Sequence, residues 1–308
     1  MKLPLRIVAA LLVSFIVAGA AWGQQATDSK PKIFGIAGVR IYVSDIKAAR
    51  TFYQGVTDTK RACSWCETQE PSAFRLPSGQ FILLSYVKPY EGANLLAEVS
   101  FNADHLEELE KIFKKNKIKH ESDRRTGTLT MIRVNDPEGH ALAFLDVEAA
   151  KRVHAYYPKN MEESALNERI IHVGFVVKDR AAMDAFYKDL LGFHVYWHGG
   201  MRDDETSWVD MQVPDGTDWI EYMLGVPPDA DQKLLGIMNH IALGVPDVRA
   251  AANQLTKEGV KLTEEPKIGR DGKRQLNLYD PDLTRVEMME FTPVEKPCCS
   301  EYTGKHPE

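Results

Sequence analysis

The sequence predicts an α+β protein made of four βαβββ modules paired into two domains. Three observations point there: a repeat between the two halves, a shorter repeat inside each half, and a helix signal at the same place in each copy. The segment Val43 to Tyr53 recurs as Val177 to Tyr187, with valine, aspartate, phenylalanine and tyrosine matching at one offset of 134 residues (177 − 43). Asp136-Pro137-Glu138 recurs as Asp280-Pro281-Asp282 at an offset of 144 (280 − 136), so the halves are copies that differ by a modest insertion. Within the second half, Val177 and Val245 stand 68 apart (245 − 177), as do His172 and His240. In the first half, Val43-Ser44-Asp45 corresponds less cleanly to Ala103-Asp104.

Each module reads as an apolar strand, an aspartate, an amphipathic helix and further strands. Apolar residues fall at helical spacing over Ala181 to Leu191 and over Val248 to Glu258, and Gly192 and Gly259 stand at the stop positions just beyond. Asp45, Asp104, Asp179 and Asp247 occupy the N-cap position, where a carboxylate accepts the free backbone N–H groups of the first turn. That role accounts for them without a functional one.

Along the chain, residues 1–23 read as an export signal. Lys2 and Arg6 start it, an apolar run from Ile7 to Val17 follows, and Ala21-Trp22-Gly23 places small residues where cleavage before Gln24 needs them. The run is about half the roughly 20 residues that span a bilayer. The protein is therefore expected outside the cytosol, periplasmic or secreted, with no membrane association after cleavage. Residues 24–33 read as a flexible leader, 34–148 as the first module pair, 149–168 as a connector, 169–292 as the second pair and 293–308 as an irregular tail.

The 308 residues carry 44% hydrophobic and 27% charged side chains, as globular domains do. The net charge is −6, and without Lys2 and Arg6 it is −8 (36 basic against 44 acidic), which argues against a nucleic-acid partner. The four cysteines are Cys63 and Cys66, two residues apart, and the adjacent Cys298 and Cys299. In an oxidising compartment they are expected to form structural disulfides, a staple between the tail and the N-terminal half among the possible pairings. Partners are expected to be small molecules, and the chain a monomer or homodimer.

Four residues carry the chemistry: His172, Glu221, His240 and Glu287, each inside a short apolar run of the second half. Burying an imidazole or a carboxylate in an apolar strand without a partner is costly, so their convergence on one point would make a site for a divalent cation. Neutral imidazole and ionised carboxylate suit iron, nickel, cobalt, manganese or zinc. Strand alternation puts Gly174 beside His172, and Ala242 and Gly244 beside His240, leaving room for substrate oxygens at the ion. Glu290 faces away from Glu287 and reads as solvent-facing or paired with a cation. His194, His198, Arg274, Tyr279 and Arg285 are weaker candidates for lining or orienting roles.

Paired βαβββ modules with ligands on their first and last strands resemble the vicinal oxygen chelate superfamily. It includes glyoxalase I, extradiol ring-cleaving dioxygenases, fosfomycin-resistance enzymes, methylmalonyl-CoA epimerase and bleomycin-binding proteins. The resemblance covers the chain to about residue 292 and is carried by Asn239 to Leu243, Ile220-Glu221-Tyr222, and Asp280-Pro281-Asp282 followed by Val286-Glu287. It implies two glyoxalase-like domains and a metal held by His172, Glu221, His240 and Glu287. Glu221 or Glu287 would act catalytically as general base in a glyoxalase-type lyase or isomerase; an extradiol-type dioxygenase would need three ligands. The resemblance implies a small oxygen-rich substrate. A non-catalytic sequestering protein of the bleomycin-resistance type is the alternative. In the first half, counting from the aspartates puts Gly38, Ala97 and Ala143 at ligand positions, with Leu84 the counterpart of Glu221, and none of the four can hold a metal.

Overall fold

The computed structural model describes residues 30–57, 72–87, 94–148 and 166–308. The expected export signal, Cys63 and Cys66, and most of the connector lie outside the described residues.

In the first half the strands are β1 (Ile33–Val43), β2 (Ser72–Arg75), β3 (Phe81–Tyr86), β4 (Leu96–Ala103), β5 (His120–Arg125), β6 (Thr128–Asn135) and β7 (Ala141–Asp146). They form one sheet in the order β2-β3-β1-β4-β7-β6-β5, with helices α1 (Ile46–Thr57) and α2 (Leu106–Lys115) following β1 and β4. The second half repeats the plan with β8 (Arg169–Val176), β9 (His194–Gly199), β10 (Trp208–Gln212), β11 (Trp219–Met223), β12 (His240–Val245), β13 (Lys267–Ile268), β14 (Arg274–Tyr279) and β15 (Arg285–Glu290). Its sheet runs β13-β14-β15-β12-β8-β11-β10-β9. Helix α3 (Arg180–Asp184) continues as a π-helical turn to Leu190, a short α4 (Gln232–Met238) precedes β12, and α5 (Val248–Lys257) follows it. Among the described residues no helix is long and apolar enough to cross a membrane.

In each module the first strand pairs in parallel with the last: β1 with β3, β4 with β7, β8 with β11 and β12 with β15. The first strands of paired modules then join antiparallel, β1 with β4 and β8 with β12. The strands at the middle of each sheet are therefore the first and last of each module. Side chains from four strands can meet on one face there, which is why ligand positions spread over the sequence converge.

Alternation sorts the second sheet into two faces. Ile170, Val173, Phe175, Ile220, Tyr222, Ile241, Leu243, Val286 and Met288 belong to one buried apolar cluster that runs through both halves and takes in the helices. The opposite face carries a smaller cluster of Ile171, Tyr196, Trp197, Trp219, Ala242 and Met289, with Tyr302 packed on it.

Helix ends follow the sequence signals with one exception. Asp45, Asp179 and Asp247 each accept first-turn backbone N–H groups, and Gly192 and Gly259 adopt the left-handed conformation with φ of 83° and 84°. Asp104 does not cap α2: its carboxylate accepts from the Lys32 backbone N at 3.0 Å, and His105, with φ 50°, holds the cap position with no side-chain bond. The weaker repeat at Ala103-Asp104 reflects this change.

That change also shifts the matching of the halves. Strand register sets Arg40 where Gly174 stands, with Leu83 and Glu98 beside it where Glu221 and His240 stand beside Gly174. The counterparts are therefore Leu83 and Glu98, rather than Leu84 and Ala97, because counting across unequal loops slips by one residue. Gly38 and Ala143 keep their places through Ser100, as His172 and Glu287 do through Ala242. Glu98 is the single potential ligand of the four, and it pairs with Arg133 at 3.3 Å and Arg40 at 3.9 Å. An ion-pair cluster stands in the first half where the second gathers imidazoles and carboxylates.

The repeated Asp-Pro turns lock the halves together reciprocally. The Tyr53 hydroxyl of α1 donates to Asp280 of the second half at 3.1 Å, and the Tyr187 hydroxyl donates to Asp136 of the first half, also at 3.1 Å. The third turn residue repeats the exchange, Glu138 accepting from the backbone N of Lys178 and Asp179, and Asp282 from that of Ser44. Burial, set against backbone N–H groups of Thr284 and Asp282 that favour the anion, pushes the Asp280 carboxyl up to about 7. A carboxyl raised this way holds its proton longer in the folded state than in the unfolded one. Its contribution is therefore a penalty, absent below about pH 4 and reaching about 4 kcal/mol once pH passes 7. Asp280→Asn, which keeps an oxygen for those N–H groups, is expected to gain on the wild type by up to that amount between about pH 4 and about pH 8 in urea unfolding. A difference between the two proteins that does not change with pH would refute the assignment.

Candidate metal centre

All four predicted residues lie on the face opposite the main core. His172 is on β8, Glu221 on β11, His240 opens β12 and Glu287 is on β15. The two imidazoles face each other through Nε2 atoms 3.1 Å apart. The Glu287 carboxylate lies 3.6 Å from His172 Nε2 and 3.7 Å from His240 Nε2. Glu221 lies 3.1 Å from His240 and 3.7 Å from His172. The ligand atoms of His172, His240 and Glu287 all fall within 4.8 Å of one another, and all three residues are buried. The Glu221 side chain keeps 16% of its surface exposed, so it is the donor on the open side.

The protonation pattern suits a cation. His240 Nδ1 lies 2.9 Å from the Met238 carbonyl, which requires the ring hydrogen on Nδ1 and leaves the Nε2 lone pair facing the cluster. Burial, reinforced by the Arg285 guanidinium, pulls the His240 imidazolium down and favours the neutral ring. Burial pushes the Glu287 carboxyl up, but the nearby His172 ring and the Arg285 charge outweigh this and bring it down to about 2. Glu221 is likewise lowered, burial being outweighed by its close contact with His240 and by the positive charge around it, that of Arg285 included. Two imidazoles and two carboxylates crowded this closely form a donor set that a divalent cation would settle.

The small residues beside the histidines serve a different purpose from the one expected. A Cβ at Gly174 would come within 2.1 Å of the His240 ring, and one at Gly244 within 2.2 Å of Phe291. The room at Gly174 is filled by the ligand imidazole itself and that at Gly244 by an aromatic ring, so neither is space for substrate oxygens.

Among the weaker candidates, Arg285 joins the centre: its Nη2 donates to His240 Nε2 at 2.6 Å. Arg274 is taken by Glu290, at 3.0 Å, on the core side of the sheet, where Glu290 also accepts from the Val248 backbone N. Glu290 is thus a buried partner of a cation. His194 and His198 lie on β9, whose bulge turns Tyr196 inward instead. Residues missed by pattern line the same face: Asp210 pairs in register with Glu221, Lys273 precedes β14, and Tyr302 comes from the tail. The alternation Trp208-Asp210-Gln212 was a usable signal for Asp210. Lys273 and Tyr302 lie in a turn and a tail, where no periodicity marks an inward face.

The tail has no regular secondary structure, yet it is held to the second sheet. Cys298 N donates to the Arg270 carbonyl at 2.9 Å, Thr303 N to the Tyr196 carbonyl at 3.0 Å, and Gln212 Nε2 to the Lys305 carbonyl at 2.8 Å. Cys298 and Cys299 form a disulfide with each other, so they do not staple the tail to the N-terminal half.

Comparison with known proteins agrees with this architecture. Residues 169–288 match the family model of the Glyoxalase/Bleomycin resistance protein/Dioxygenase superfamily. Human mitochondrial methylmalonyl-CoA epimerase is 29% identical over 123 residues, which is 38% of this chain and 70% of that protein. Homoprotocatechuate 2,3-dioxygenase from Arthrobacter globiformis superposes with a TM-score of 0.61 at 19% identity, covering 84% of this chain and 80% of that one. The enzyme of the same name from B. fuscum gives 0.62 at 18% identity, covering 89% and 74%. These structural likenesses show the fold of both halves together. With its repeated βαβββ modules and the family match over residues 169–288, the second half of the chain is a domain of the glyoxalase, bleomycin-resistance and dioxygenase superfamily, also called vicinal oxygen chelate.

Proposed function

We propose that the second half is a divalent-metal-dependent enzyme centre that moves a proton on a small substrate bound through two adjacent oxygens, as a lyase or isomerase. The observation that carries this reading is the division of labour among the four donors. His172, His240 and Glu287 are buried and mutually close, while Glu221 is 3.1 Å from His240 and open on one side. A cation held there would supply Lewis acidity to the substrate oxygens. Iron, nickel, cobalt, manganese and zinc all suit these donors.

In this scheme His172, His240 and Glu287 would hold the ion, and Glu221 takes the proton from the carbon beside the substrate carbonyl and returns it. Its open edge lets it reach substrate, and its lowered carboxyl leaves it without a proton of its own at neutral pH. Arg285 balances negative charge as it develops. The first half, with an ion-pair cluster at the matching place, acts as scaffold. The expected leader would put the activity outside the cytosol, on substrates other than cytosolic thiol adducts.

The three-donor set His172, His240 and Glu287 also favours a second reading, an extradiol-type dioxygenase with Glu221 loose. A panel of α-hydroxy thioesters, α-keto acids and catechols, assayed with metal-loaded protein in D2O with and without O2, separates the readings. Deuterium entering the substrate without O2 consumption is the expected outcome, and O2-dependent ring opening would replace it with the second reading. Binding without turnover across the panel would favour a sequestering protein. Glu221→Gln is expected to lower turnover by about 10²- to 10⁴-fold with metal content kept, since general base catalysis contributes that much. Unchanged turnover would remove Glu221 from the scheme.

A further inference from the structure

Beside the four donors, the same face of the second sheet buries a charged group that the chelate chemistry leaves unused. Lys273 has no exposed surface. Its Nζ stands 4.5 Å from the ring centroid of Trp219, 5.4 Å from that of Tyr196 and 5.6 Å from that of Tyr302. Trp219 packs on His172 at a centroid distance of 4.8 Å, so the ammonium and the donor cluster share one aromatic wall.

The cage leaves this ammonium short of acceptors. It has three N–H groups, and its hydrogen bond is to the Tyr196 hydroxyl at 3.4 Å. Among the described residues no carboxylate oxygen comes within ion-pair distance of it. Burial pulls the ammonium down to about 8, although Asp271 and Asp210 act on it through space in the opposite sense. On the same face, Trp219 Nε1 is a second buried donor with no partner, and Asp210 Oδ1 a buried acceptor with none. The tail roofs this group: Tyr302 donates to the Asp271 carbonyl at 2.8 Å, and His306 meets Tyr196.

A buried ammonium without an anion in contact is unfavourable unless something else supplies the counter-charge. We infer that Lys273 is a specificity-determining residue that receives a carboxylate on the substrate, with Trp219 Nε1 as second donor and Asp210 accepting from a neighbouring hydroxyl. The substrate class is then a small organic acid with two adjacent oxygens at one end and a separate carboxylate at the other. This rests on the chelate reading of His172, His240 and Glu287. The tail, which contributes one wall of the cage, closes over the carboxylate end.

The test uses the full chain loaded with Mn²⁺, as wild type and as Lys273→Met, which keeps the length of the side chain without its charge. The probes are 2-oxoglutarate and its 5-methyl ester, alike at the chelating end and differing in a distal carboxylate or neutral ester. In calorimetry the wild type is expected to bind the acid about ten- to a hundred-fold tighter than the ester, as loss of a charged hydrogen bond predicts, and the variant to bind both alike. Metal content, measured alongside, is expected to stay the same in both proteins. Without ligand, Lys273→Met is expected to melt higher than the wild type, the opposite of what loss of a purely structural residue gives. Equal binding of both probes by metal-loaded wild type, binding of neither, or a preference that survives in the variant would overturn the assignment. A chain that takes up no metal would instead defeat the chelate reading.

Discussion

His240→Ala, alone or with His172→Ala, is expected to empty the centre: metal per chain, measured by elemental analysis after purification without chelator, should fall from about one to near zero. His240 lies 3.1 Å from both His172 and Glu221 and 3.7 Å from Glu287, so its loss removes the donor that joins the other three. The stability response follows from linkage. Metal at about a hundred times its dissociation constant should stabilise the wild type by about 2.7 kcal/mol, and the variant by nothing measurable. A variant that keeps its metal and its thermal shift would show that the ion sits elsewhere.

The second large effect is expected at Gly174, which contacts no substrate in this scheme. An added methyl group would meet the His240 ring at 2.1 Å and the Met238 carbonyl, which holds that ring, at 2.9 Å. Neither can yield without turning the imidazole away from His172. Gly174→Ala is therefore expected to weaken metal binding about 10- to 100-fold, as loss of an orienting contact does. It should also cost about 1–3 kcal/mol through overpacking. Gly259→Ala, at a left-handed turn with nothing within 4 Å of the added atom, is the control: it strains the backbone without touching the metal. Equal metal loss in both would mean that Gly174 acts through general destabilisation.

Much of this could be read from the chain because repetition makes distant residues comparable. The segments at Val43 and Val177 revealed the two halves, and His172 and His240 revealed the two modules of the second. Apolar runs on the central strands then isolated four polar residues whose burial needed a reason. Single-residue register was harder to read. Counting back from Asp104 lands on Ala97 instead of Glu98 because Asp104 bonds to Lys32 and His105 stands at the helix cap, and Leu84 differs from Leu83 by a slip across unequal loops. The purpose of Gly174 was hidden because a glycine in a strand does not say which neighbour fills its space. Lys273 and Tyr302 were invisible for another reason: a turn and a tail have no period, so only the folded chain shows that both face Trp219.

The crossed Tyr53–Asp280 and Tyr187–Asp136 contacts bear on how the duplicated chain can be divided. Each half supplies a phenol that only the other half accepts, so neither copy closes its own hydrogen bonds. A fragment carrying residues 169–308 alone would hold every donor for the ion. It would also strand Asp280 and Tyr187, at opposite ends of their exchange, without the groups they evolved to meet.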